Sequence, residues 1–263
     1  MGTGATATDA TATGAAPAAA WTADPYTRAL RSGRGPLFLR RGDGWLLPLD
    51  VERWCEAPDR ADRTVLDRCR GASLDIGCGP GRLVAALAVR GHRALGIDVS
   101  PEAVARTTRS GGAALHRSVF EPLPGEGRWD TALLIDGNVG IGGDPAALLE
   151  RLAQLTAPGG ALIVECASGA GPQSDALDER YVVRVDDGRG AVGTPFPWAR
   201  VGATALDGHA GAAGWSAAER WTADGRTFVR LVRPARPSRA PRASRPVQPV
   251  RPVLQGLGRP QVT

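Results

Sequence analysis

The segment Leu74-Asp75-Ile76-Gly77-Cys78-Gly79-Pro80-Gly81-Arg82 constrains this chain more than any other stretch. A short apolar run ends in an acid, three glycines follow at alternate positions, and a helix-forming sequence begins at once. The pattern predicts a strand, a tight turn and a helix start, an arrangement in which backbone N–H groups face a bound ligand. A side chain in the turn would block that approach, so glycine is the residue the position needs. The spacing is not the G-x-G-x-x-G of dinucleotide turns. Its third glycine comes one residue early, and an acid stands two residues before the first.

From residue 72 the sequence alternates between two periodicities. Strands are expected at 72–76, 94–98, 114–117, 131–136 and 161–165, with helices at 82–90, 100–107 and 146–155. Leu83, Ala86 and Leu87 share one helix face. Ser100-Pro101 and Asp144-Pro145 read as N-caps with proline at the first helical position. Such alternation implies a parallel sheet with right-handed crossovers. Further on, a strand is expected at 181–185, a helix at 202–213, and a hairpin of 216–221 with 227–232 around Asp224-Gly225. The expected fold is α/β and Rossmann-like: a seven-stranded, mostly parallel sheet with one antiparallel strand and helices on both faces. That fold occupies 71–232. Residues 23–70 hold a helix, a hairpin around 42–44, two short helices and the aromatics Tyr26, Phe38, Trp45 and Trp54, and read as a packed cap or lid. Residues 1–22 are Ala/Thr/Gly-rich and residues 233–263 are Pro/Arg-rich; both are expected to be disordered.

Charge is distributed unevenly. Residues 233–263 hold seven arginines and no acid, whereas the remainder holds 25 arginines against 27 acids. The formal charge of +5 therefore belongs to the tail, and the folded body offers no basic groove for nucleic acid. No apolar run approaches the roughly 18–20 residues of a membrane span. The four cysteines (55, 69, 78 and 166) contain no C-x-x-C pair, so neither a metal site nor a disulfide is expected, as suits a cytoplasmic protein.

The second expected strand ends in Asp98, seventeen residues past Gly81, where an acid can accept both hydroxyl protons of a ribose. With Leu74–Gly81, three further segments carry a family resemblance: Gly96-Ile97-Asp98-Val99-Ser100, Trp129-Asp130-Thr131-Ala132-Leu133-Leu134, and Leu155-x-x-Pro158-Gly159-Gly160. Over roughly residues 70–166 the chain resembles the class I S-adenosylmethionine-dependent methyltransferases. It is most similar to the small-molecule branch that includes quinone-biosynthesis enzymes, through Gly91-His92-x-x-x-Gly96-Ile97-Asp98-x-Ser100.

The resemblance implies S-adenosyl-L-methionine as cofactor and a small molecule as methyl acceptor. By position it gives Asp98, with Val99, to the ribose end, and Gly77, Cys78, Gly79 and Gly81 to the methionine end. Asp75 either orients the loop or binds the methionine ammonium through water. Where the family commonly has an adenine-binding acid this chain has Ser118, so Val119 backbone or the Glu121 carboxylate would replace that contact. Phe120 packs either on the adenine or in the core. The glycine-rich loop 136–144 borders the methionine and the acceptor; Asp136 is a base or a polar anchor there, and Asn138 orients the substrate. His209, on the late helix, is the one histidine near a substrate cavity. Two other functions compete: a non-catalytic cofactor-binding module that uses the tail to dock a partner, and a nucleic-acid methyltransferase guided by the tail. The slightly acidic body argues against the second.

Overall fold

A computed structural model describes residue 21 and residues 24–167 and 174–235. The segment before the glycine turn forms α1 (Asp24–Ser32), β1 (Phe38–Arg41), β2 (Leu46–Pro48), α2 (Val51–Cys55) and α3 (Arg60–Leu66). Then come β3 (Ser73–Ile76), α4 (Arg82–Val89), β4 (Ala94–Asp98), α5 (Pro101–Arg109), β5 (Ala114–His116), β6 (Trp129–Leu134), α6 (Pro145–Leu155) and β7 (Thr156–Cys166). The chain ends with β8 (Asp178–Asp186), β9 (Phe196–Val201), α7 (Ala203–Ala212), β10 (Ser216–Ala223) and β11 (Arg226–Val232).

Seven strands form the main sheet in the order β10-β11-β7-β6-β3-β4-β5. Strands β3 to β7 pair in parallel, β11 pairs antiparallel with β7, and β10 pairs antiparallel with β11, so β11 alone runs against the other six. This is the seven-stranded, mostly parallel α/β architecture the sequence predicts.

Local chemistry sets the element boundaries. Ser100 caps α5 by accepting from the Ala103 N–H, and Asp144 caps α6 by accepting from Ala146 and Ala147, each with proline at the first helical position. Asp59 and Asp62 form a reciprocal capping box on α3. Strands β6 and β7 are apolar on both faces because both are covered. Leu134, Leu162 and Val164 pack with Leu148 and Leu152 of α6, whereas Leu133 and Ile163 pack with Leu66 of α3 and Leu87 of α4. Before Ala161, the expected turn at Pro158-Gly159-Gly160 survives as a bulge: pairing with β6 jumps from Trp129↔Thr156 to Thr131↔Ala161.

A second sheet, antiparallel and four-stranded in the order β2-β1-β8-β9, lies beyond the sequence expectation. It joins the early hairpin to two strands that follow β7. Strand β9 escapes notice in the sequence because Pro197 and the mixed pattern Phe-Pro-Trp-Ala-Arg-Val break the alternation of a half-buried strand. Leu30, Leu37, Leu39, Val183, Val185 and Phe196 make its core.

The expectations of a disordered leader and tail lie outside the described residues except at their inner ends. There Trp21 packs against Tyr26, Phe196 and Trp198, and Arg233 donates to the Ala153 and Thr156 carbonyls, so both residues belong to the folded body. Among the described residues no helix is long and apolar enough to cross a membrane, and no group of three or more His, Cys, Asp or Glu side chains could hold a metal.

Candidate active site

Parallel pairing brings Gly77, Asp98 and Asp136 to one edge of the sheet, just past the carboxyl ends of β3, β4 and β6. Open α/β sheets bind ligands at this edge. A cavity of about 290 Å³ opens there. The glycine loop floors it, Asp98, Val99 and the 117–120 segment form one side, the 136–142 loop another, and the small sheet with α1 and α2 roofs it.

The three glycines have three different jobs. At Gly79 an added Cβ would meet only the Tyr26 hydroxyl at 3.8 Å, so this residue keeps a bare face toward the cavity. At Gly77 it would run into the Asn138 amide, 2.7 Å away. At Gly81, the left-handed N-cap of α4 (φ +85°), it would collide with Thr107 of α5. Gly81 is absent from the cavity wall, so the expectation that it makes room for the methionine is corrected: it lets two helices approach. Thr107 completes that contact by donating its hydroxyl to the Gly79 and Ala103 carbonyls.

Asp98 is buried at the cavity edge. Its Oδ2 accepts from the Gly79 N–H at 2.9 Å and its Oδ1 from the Ser100 N–H at 2.8 Å. Burial pushes its carboxyl up to about 6 against the pull of these hydrogen bonds. Asp75 is also buried and stands behind the wall, which leaves both of its expected roles, orienting the loop and reaching the ammonium through water. Burial, reinforced by neighbouring carboxylates, pushes it up to about 8 although Arg82 pulls the other way. Cys78 lines the cavity while its sulfur packs toward Thr107 and Gly96.

Ser118, Val119 and Phe120 do line the cavity. Ser118 accepts from the Phe120 N–H, and the Glu121 carboxylate folds back onto the Ser118 N–H at 2.8 Å, which takes Glu121 off the wall. The Val119 carbonyl is held by Arg151 at 2.9 Å. Phe120 is 44% exposed, so it is not a core residue; its ring edges Gly142 across the cavity rim.

Asp136 departs furthest from expectation. Its carboxylate sits 2.7 Å from Arg82 Nη1, 2.8 Å from Arg53 Nη2 and 3.5 Å from Arg226 Nη2, while its N–H donates to Glu165. Burial opposes its charge, but the guanidinium groups win and hold the carboxyl below the usual range. A carboxylate so held is a poor proton acceptor, so the base reading is corrected in favour of the anchor. Arg82 and Arg226 also grip fully buried Asp62, and Arg226 grips Glu165. This ionic network links α2, α3, α4, β7 and β11 beneath the site; none of its arginines was singled out in the sequence. Asn138 is likewise corrected: its amide N–H groups are spent on the Ile76 and Gly77 carbonyls, both at 2.9 Å, where they brace the loop. His209 pairs with Asp178 at 2.9 Å and lies off the cavity wall, which removes it from the chemistry.

The sequence reading also missed most of the roof. Trp21, Tyr26, Trp54, Phe196 and Trp198 line it. The one early signal is the density of aromatics between residues 21 and 54; Trp198 is both buried and on the wall.

The seven-stranded order, the bare-faced glycine loop and the acid at the end of β4 together define a class I cofactor-binding methyltransferase fold. A family model of the methyltransferase domain matches residues 51–188. Solved structures share the fold. A SAM-dependent methyltransferase from Bacteroides fragilis, solved with S-adenosyl-L-homocysteine, aligns with a TM-score of 0.65 at 20% identity over 83% of this chain and 96% of that one. The 1,6-didemethyltoxoflavin-N1-methyltransferase of Burkholderia thailandensis aligns at 0.50 and 20% identity, over 66% and 77%. The CcbJ methyltransferase of Streptomyces caelestis aligns at 0.51 and 17%, over 68% and 90%. The chain belongs to the methyltransferase domain family and is an S-adenosyl-L-methionine-dependent enzyme.

Proposed function

We propose that the enzyme methylates a small-molecule acceptor held between the glycine loop and the aromatic roof. The observation that carries this reading is the roof itself: α1, α2 and β9 cover the cavity mouth, leaving a chamber of about 290 Å³. A nucleotide still in its duplex, or a folded protein surface, has no way into such a chamber. Four free cysteines, with Cys69 and Cys166 buried and their thiols pushed up to about 12 by that burial, support a reducing, cytoplasmic setting.

The residues present suit the cofactor. Asp98 has lone pairs left to accept ribose hydroxyls, Gly79 leaves its face open for the methionine chain, and half-exposed Phe120 offers a ring to the adenine. When bound, S-adenosyl-L-methionine supplies a methyl group already activated on a sulfonium. The protein then has to align the acceptor and keep the chamber dry. The roof does both. Asp136 is held by its arginines and Asp98 by the glycine loop, so neither serves as the base, and the acceptor's proton leaves to bulk solvent.

A labelled-methyl assay on a metabolite extract, with protein and nucleic acid fractions counted separately, tests the proposal. Label is expected in the small-molecule fraction; label confined to the macromolecules would overturn it.

A further inference from the structure

The roof has a chemical character that narrows the acceptor. Trp21 lies 5.0 Å from Tyr26, 5.1 Å from Phe196 and 5.7 Å from Trp198, and Phe196 lies 6.1 Å from Trp198, all between ring centroids. These rings touch one another and form a continuous aromatic wall drawn from two distant parts of the chain. Trp54 stands on the same cavity.

Charge is confined to the opposite side. Arg82 is bound by Asp62 and Asp136, Asp98 accepts from the Gly79 and Ser100 N–H groups, Asp144 caps its own helix, and Arg117 gives one N–H to the Pro122 carbonyl and stands beside Ser118, away from the roof. None of the roof residues is charged. An anionic acceptor would lose its hydration there without gaining a partner. A cationic acceptor would be drawn to the ring faces, but it would sit beside the cofactor's own sulfonium in a poorly screened space.

We propose that the acceptor is a neutral, planar aromatic molecule, stacked on this wall, that offers a hydroxyl or a ring nitrogen to the methyl group. The proposal rests on the small-molecule reading above. The lone pair of that oxygen or nitrogen forms the new bond to the methyl carbon. The carbon–sulfur bond breaks with its electrons staying on sulfur, and the proton of the accepting atom passes to water.

Calorimetry on the full chain saturated with S-adenosylhomocysteine tests it, with 2-naphthol, 2-naphthoate and phenyltrimethylammonium as probes. The neutral naphthol is expected to bind at least about tenfold more tightly than either ion. Trp198→Phe keeps an aromatic face and retains that affinity, and Trp198→Leu loses about tenfold. Unchanged S-adenosylhomocysteine affinity in each variant shows that it is folded. Equal or tighter binding of either ion, no naphthol binding, or full affinity in Trp198→Leu would overturn the proposal. The extract assay separates the two levels. Label on a charged aliphatic metabolite defeats this inference alone, whereas label on macromolecules defeats the reading beneath it.

Discussion

Asp98 holds two backbone N–H groups, one in the glycine loop and one at the start of α5, and does so in a buried setting that raises its carboxyl to about 6. Ribose hydroxyls bond more strongly to the ionised form, so cofactor binding lowers that value and releases a proton. Affinity for S-adenosylhomocysteine should therefore rise as pH climbs toward about 6 and level off above it. Asp98→Asn should abolish this part of the pH dependence and weaken binding by about a hundredfold, read by calorimetry in buffers of different ionisation heat. Asp136 works in the opposite direction. Its folded value is depressed, so its stabilisation is present above the unfolded value near 4 and disappears as pH falls through the folded one. Asp136→Asn should cost about 3 kcal/mol in denaturant unfolding at pH 7, much less once pH falls below the depressed folded value, and leave the shape of the pH–rate profile intact. Loss of the acidic limb from that profile would restore Asp136 as the base. The glycines separate in the same way. Gly81→Ala meets Thr107 and should lower stability by about 1–3 kcal/mol, whereas Gly79→Ala meets open space and should cut cofactor affinity more than stability.

At the level of elements, the ionic network fastens the C-terminal hairpin to the cofactor half. Arg226, the first residue of β11, reaches Asp59, Asp62, Asp136 and Glu165. Its side chain is 13% exposed, so Arg226→Ala should cost about 3–5 kcal/mol in denaturant unfolding. Arg68→Ala, which breaks a half-exposed pair with Glu219 elsewhere on the same hairpin, should cost at most about 1 kcal/mol. Which elements were legible in the sequence follows from the range of their interactions. Strands β3 to β7 and the helices between them carry local periodicity and caps such as Ser100 and Asp144, so they could be read directly. Asp98 and the glycine loop could be read because motif spacing encodes them. The small sheet could not, because β1 pairs with β8 across more than a hundred residues and no periodicity marks that choice. Asn138 and Asp136 lie on the cavity wall, yet their work depends on neighbours from other elements: the Ile76 carbonyl for one and three arginines for the other. His209 misled because helix position alone cannot reveal its partner, Asp178.

On the scale of the whole molecule, the basic tail and the folded body are separable in charge. Seven arginines lie in 233–263, and the first of them, Arg233, is already tied to the end of α6 and the start of β7. Deleting 236–263 should leave S-adenosylhomocysteine affinity within about twofold and remove any salt-steep binding to RNA or DNA, measured by fluorescence anisotropy across a salt series. The roof, by contrast, is stitched from both sides of the cofactor domain: α1 and β1 precede the glycine loop, and β8 and β9 follow β7. A chain emerging from the ribosome in order can complete the glycine loop and Asp98 long before β9 exists. The early hairpin must wait, with Leu37 and Leu39 uncovered, until residues 178–186 arrive. Nascent chains stalled before and after β9 should therefore differ sharply in protease resistance around residues 37–55. The roof of this enzyme is born after the site it covers, and until then the cofactor site stands open to water.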